Sequence, residues 1–166
     1  MYNNKINASF TAVWGGHYGY GGRVRLGYTR IDSEENMSKA KGTIKAIQAA
    51  GKVPKVFVIA TINDYEGGST GYQTPISNMI NAADVLRRYI RSTGGSGLIY
   101  CCSLIGLKNG KSVKSFNEYL KSAAGKQKWF KYLNINPGNL QYDPDGGHYT
   151  VSDTKKIFKI IYNAAN

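Results

Sequence analysis

A chain of 166 residues with 42% apolar content suits one globular domain, 1–166, with a single core, and is short for two. No run approaches the roughly 20 apolar residues of a membrane helix, and the polar start Met1-Tyr2-Asn3-Asn4-Lys5 lacks the apolar stretch of a signal peptide, so no membrane span is expected and secreted, surface and cytoplasmic locations all stay open. Twenty-two Lys and Arg against ten Asp and Glu give +12, which attracts anionic partners; no nucleic-acid motif accompanies the charge, and lysines such as Lys39, Lys41, Lys45, Lys155, Lys156 and Lys159 read as solvated helix faces.

In chain order, short strands are conceivable at Lys5-Ile6, Ala8–Trp14 and Arg23–Leu26. Between them Gly15–Gly22 carries Tyr18 and Tyr20 among glycines, a stretch that matches neither a phosphate-binding Walker loop nor a dinucleotide fingerprint. His17 reads best as a loop histidine packed on tyrosines. From Ser33 to Ala50, Met37, Ala40, Ile44 and Ile47 recur at helical spacing behind Asp32 and Ser33, and Gly51 stops the helix. Val53–Ala60 is a short apolar run that suits a strand buried on both faces, ending in Thr61-Ile62-Asn63-Asp64.

A second helix begins near Pro75, presents Ile76, Met79, Ile80, Ala83, Leu86, Tyr89 and Ile90 on one face, and closes at Gly94–Gly97. Leu98–Ile105 is a second buried strand; its adjacent Cys101 and Cys102 point to opposite faces, a poor disulfide geometry, and read as two buried thiols. Val113, Phe116 and Leu120 mark a third helix, Trp129–Ile135 a further strand, and about Ser152–Ala164 a final helix with Ile157, Ile160 and Ile161 inward. Neither the cysteines nor the two histidines have zinc-site spacing, and no metal or organic cofactor is implied.

Alternating strands and helices require βαβ crossovers and a mainly parallel sheet, and ligands bind such sheets at the carboxyl ends of the strands. That rule sets Asn63-Asp64, the segment after Leu104 and the loop after Ile135 on one rim. On the same logic Asp143-Pro144-Asp145-Gly146-Gly147-His148 precedes the last helix, where two glycines let Asp145 approach His148. A carboxylate beside an imidazole is half of a hydrolase triad; the plainer alternative is a loop whose aspartate caps a helix.

Asp145-Gly146-Gly147-His148 before a C-terminal helix, together with Thr61-Ile62-Asn63-Asp64 after a central strand, resembles the last block and the Gly-x-Asn-Asp block of the SGNH (GDSL-like) hydrolases. The resemblance covers the chain from Ser33 onward. It implies a flavodoxin-like α/β fold, a three-layer α/β/α sandwich on a four- or five-stranded, mainly parallel sheet. It also implies Asn63 as an oxyanion donor, His148 as base, Asp145 as its orienting partner and no cofactor.

The family's Gly-Asp-Ser block is absent, and Thr61 stands in place of the usual glycine. One alignment makes Ser9 the nucleophile after a strand at Lys5-Ile6. The other makes Ala8–Trp14 the second strand and Gly15–Gly22 the loop that supplies the oxyanion glycine, in which case the first strand and the serine are missing or come from a partner chain. Two functions follow. One is a serine esterase or deacetylase in which Ser9, Asn63, Asp145 and His148 do the chemistry, with Gly19, Tyr20 and Asp64 at the substrate, an O-acyl ester of a small molecule or an anionic surface polysaccharide. The other is a non-catalytic scaffold that holds an anionic polymer or macromolecular partner on a basic, Tyr-rich rim.

Overall fold

The computed structural model describes residues 34–59, 73–106, 113–144 and 149–165. Within them helix α1 (Glu34–Ala49) leads into strand β1 (Val56–Ile59), helix α2 (Gln73–Ser92), strand β2 (Ile99–Cys102), helix α3 (Lys114–Gly125), strand β3 (Phe130–Leu133) and helix α4 (Val151–Ala165). The order is an α/β alternation, as the hydrophobic periodicity predicts.

The ends of α1 and α2 show why glycine stops them. Gly51 takes φ 71° and Gly94 φ 89°, both in the left-handed region. That turn lets Gly51 N–H donate to Gln48 O at 2.9 Å and Lys52 N–H to Ile47 O at 3.1 Å. The same pair of bonds recurs at the end of α2, from Gly94 to Arg91 O and from Gly95 to Ile90 O. Each is a Schellman closure, which satisfies carbonyls that the helix itself leaves open.

The three strands pair in parallel in the order β1-β2-β3. Val56 lies opposite Ile99 and Ile99 opposite Phe130, so all three strands run level to Ile59, Cys102 and Leu133. Side chains alternate between two apolar clusters. In the larger cluster Val58, Ile99, Cys101 and Phe130 meet Met37 and Ile44 of α1, Ile76, Met79 and Ile90 of α2, and Phe116 and Leu120 of α3. In the smaller one Cys102, with Phe57 and Leu133, meets Ile157 and Ile161 of α4. Full burial of side chains such as Phe116, Leu120 and Ile99 stabilises the fold by about 1.5–3 kcal/mol each.

All three strands are shorter than the sequence expectation, the third ending at Leu133 and not at Ile135. The first strand starts at Val56 instead of Val53, which is 71% exposed on the connection from α1, and Ile59 at its end is 41% exposed. β1 is the border of the described sheet; both its faces are covered, Val58 by the larger cluster and Phe57 by the smaller, although Val56 and Phe57 are only half-buried. The second strand stops at Cys102, short of Ile105, because the backbone from Ser103 onward bonds mainly to side chains. Trp129 precedes the third strand, its ring under the Arg87 guanidinium at 5.0 Å.

Three of the four or five expected strands are described; the stretches proposed for the others, Lys5-Ile6, Ala8–Trp14 and Arg23–Leu26, lie outside the described residues. Cys101 and Cys102 are buried free thiols, as expected. Burial pushes the Cys102 thiol up to about 12 and, helped by its neighbour, pushes Cys101 higher still. Neither is an available nucleophile at neutral pH.

Candidate functional site

Parallel strands bring their carboxyl ends to one rim, and the segment that leaves β2 there, Ser103–Gly106, is held at every residue. Ser103 N–H donates to Leu133 O at 2.9 Å. The Ser103 hydroxyl donates to Asn134 Oδ1 at 3.1 Å and accepts from Ile135 N–H at 3.0 Å, so this buried serine is spent on structure. Leu104 is gripped by Asn117 of α3, whose Oδ1 accepts from Leu104 N–H and whose Nδ2 donates to Leu104 O, both at 2.8 Å. An asparagine amide has one donor and one acceptor face, and here it stands in for a neighbouring strand.

The last two residues of the segment receive two tyrosines. Tyr142 donates its hydroxyl to Gly106 O at 2.9 Å, and Tyr149 donates to Ile105 O at 3.1 Å. The two residues also form an isolated antiparallel bridge, with ring centroids 5.4 Å apart. Burial, with Tyr142 second, pushes the Tyr149 phenol up to about 12, so it remains a donor across the physiological range. Tyr142 and Tyr149, which flank the stretch 143–148 in the chain, are thereby both held against the segment that leaves β2.

The chain after Tyr149 is fixed as firmly. The Thr150 hydroxyl accepts from Asp153 N–H at 3.3 Å and caps α4. Asp153, only 1% exposed, accepts from Lys156 Nζ and from Gln141 N–H, both at 2.5 Å. Those two bonds, the lysine first, hold its carboxyl below the usual carboxylate range. Thr150 N–H closes the ring by donating to Gln141 O at 3.1 Å.

All the residues expected to do chemistry, Ser9, Asn63, Asp145 and His148, and the expected substrate contacts Gly19, Tyr20 and Asp64, lie outside the described residues. Described are the residues that flank two of those stretches in the chain. Pro144 precedes Asp145 and Tyr149 follows His148; Ile59, level with Cys102 and Leu133, is four residues before Asn63.

Sequence reading missed the tyrosine pair, Asn117 and Ser103 as positioning groups. The cap was visible as Thr150-Val151-Ser152-Asp153, a variant of the Ser/Thr-x-x-Glu box. The tyrosines carried a weaker signal, two aromatics bracketing a Gly-rich turn. Among the described residues no group of His, Cys, Asp and Glu is gathered to hold a metal ion, and no helix is long and apolar enough to cross a membrane.

The chain matches no known family model, no curated protein and no solved structure.

Proposed function

We propose that the chain is an SGNH-type serine esterase or deacetylase that hydrolyses an O-acyl ester, with a cell-surface carbohydrate as the favoured carrier. Ser9 Oγ attacks the acyl carbonyl while His148 takes its proton, Asp145 orients the imidazole, and the Asn63 amide donates to the developing oxyanion. His148 returns the proton to the leaving alcohol, then activates water to release the acid from Ser9. Gly19, Tyr20 and Asp64 shape the substrate side of the rim.

The observation that carries this reading is the tyrosine closure. Consecutive Cα atoms are about 3.8 Å apart, and Asp145 follows Tyr142 by three residues while His148 adjoins Tyr149, the two tyrosines that grip Gly106 and Ile105. Four residues of chain carry Asn63 no further than about 14 Å from the end of β1. Chain connectivity thus bounds how far the Asn63 and Asp145–His148 stretches can lie from the carboxyl ends of two adjacent strands, which supports a shared rim.

The distribution of helices supports the finer fold reading, a flavodoxin-like three-layer sandwich. In a sheet of order 2-1-3-4-5, the last three strands lie side by side in chain order, the three helices that precede them share one face, and the final helix packs on the other. β1, β2 and β3 have that order, and α1, α2 and α3 share a cluster that excludes α4. Under this reading two further strands from the N-terminal quarter complete the sheet beside β1, and the ligand crevice falls at that border.

The test is hydrolysis of p-nitrophenyl acetate by the wild type, Ser9→Ala and His148→Ala, with fluorophosphonate labelling mapped by mass spectrometry. Labelling at Ser9 and loss of turnover in both variants is the expected result. Absence of labelling, with both variants equal to wild type, would sink the esterase reading.

A further inference from the structure

The connections from α1 to β1, from α2 to β2 and from α3 to β3 all fall at the end of the sheet opposite the candidate rim. Several contacts knit that end together. Gln48 Nε2 donates to Thr93 Oγ1 at 2.8 Å, joining the ends of α1 and α2. Ile99 N–H donates to Trp129 O at 2.9 Å, and Arg87 lies over the Trp129 ring.

Among the described residues, positive charge is concentrated there. The three stretches 42–55, 83–98 and 120–129 carry nine Lys and Arg against one acid, Asp84, a net +8 out of the chain's +12. Asp84 is already shared by Arg87 at 2.7 Å and Arg88 at 3.1 Å. Of the rest, Lys45 and Lys52 near the end of α1, Arg91 at the end of α2, and Lys126 and Lys128 after α3 are exposed. Each stretch carries three cations, whereas the last turns of α1 and α3 hold none and that of α2 only Arg91, so the helix dipoles do not account for them.

We propose that this end of the molecule docks on a bilayer rich in anionic phospholipid, with the candidate rim facing away from it. The cations come from three separate connections beneath helices that pack about 8–10 Å apart, so they cover an area instead of tracing a line. An area of charge suits a flat surface, where each Lys or Arg adds to the attraction. Val53, 71% exposed between Lys52 and Lys55, gives the patch an apolar point to enter the headgroup layer. Trp129, among the described residues at this end, already carries the Arg87 guanidinium over one ring face and stacks on Phe130, which disfavours it as a platform for a nucleic-acid base. The inference does not depend on the esterase reading.

Co-sedimentation with phosphatidylglycerol and phosphatidylcholine vesicles tests it. Wild type is expected to pellet with the first, to stay free of the second and to be released by 0.5 M salt, roughly the regime in which surface charges are screened. Lys52→Glu/Lys126→Glu/Lys128→Glu should weaken phosphatidylglycerol binding by more than about tenfold. Lys39→Glu/Lys155→Glu/Lys159→Glu, equal in charge change but off this end, should bind within about threefold of wild type. Circular dichroism checks both variants, and Lys→Gln at the same three sites replaces the reversal if it misfolds. Equal losses in the two triple variants, salt-insensitive binding, no binding by wild type, or tighter binding to duplex DNA than to vesicles would each overturn the proposal.

Discussion

Tyr149 reaches across from the start of α4 to donate its hydroxyl to the Ile105 carbonyl at 3.1 Å, tying a segment late in the chain to the end of the central described strand. Its ring lies 5.4 Å from that of Tyr142, which makes the equivalent bond to Gly106. Both flanks of the stretch 143–148 are therefore tied to the same short segment after β2.

Tyr149→Phe keeps the ring and removes the donor. Stability should fall by about 0.5–1.5 kcal/mol, the net worth of one hydrogen bond, read from urea unfolding. Under the proposed function esterase turnover should fall more than KM rises, because a loosened loop misplaces His148 before it affects binding. Unchanged stability would remove the closure from the account.

The same tyrosine fixes an alkaline limit. Its folded pKa is raised to about 12 from an ordinary value of about 10, so the folded state keeps a proton that the unfolded chain gives up. Stability from this group is complete below about pH 10 and is lost as pH rises toward 12. Absorbance at 295 nm should show a late-titrating phenol in wild type that disappears in Tyr149→Phe.

Asn117→Ala leaves both backbone polar groups of Leu104 without their partner, in a residue only 1% exposed. The expected cost is about 2–6 kcal/mol, since each of the two buried unsatisfied groups costs about 1–3. Urea unfolding with an unchanged m-value checks it; a cost under about 0.5 kcal/mol would mean that other groups hold Leu104 in place.

Thr150→Ala removes the cap of α4 at an expected cost of about 1 kcal/mol, measurable by thermal unfolding. At Asp153 the carboxyl is depressed by Lys156 and Gln141, so its contribution is present above the unfolded value of about 3.9 and fades as pH falls through the folded one. Asp153→Asn should therefore have a lower Tm than wild type at pH 7, and the gap should close toward pH 2.

Much of this fold was legible because burial imposes periods. Helical spacing marked the helices that became α1–α4, and Gly51 and Gly94 marked two of their ends, since only a left-handed residue closes those turns cheaply. Strand limits were less legible. Leu98–Ile105 reads as one apolar run, yet only Ile99–Cys102 pairs with other strands, and nothing local announces that Asn117 takes over at Leu104.

At the candidate site, the helix that follows Asp145–His148 was readable from its periodicity, while that stretch itself lies outside the described residues. The tyrosine pair that flanks it was not readable. Tyr142 and Tyr149 meet carbonyls more than thirty residues away, and such long-range pairing leaves no local pattern.

The neighbouring Cys101 and Cys102, one on each side of the sheet, make the chain its own two-channel reporter. A thiol reagent reaches Cys101 only when the layer formed by α1–α3 opens and reaches Cys102 only when α4 lifts. The ratio of the two labelling rates, read from a single peptide, would tell whether α4 separates from the sheet before the other three helices do.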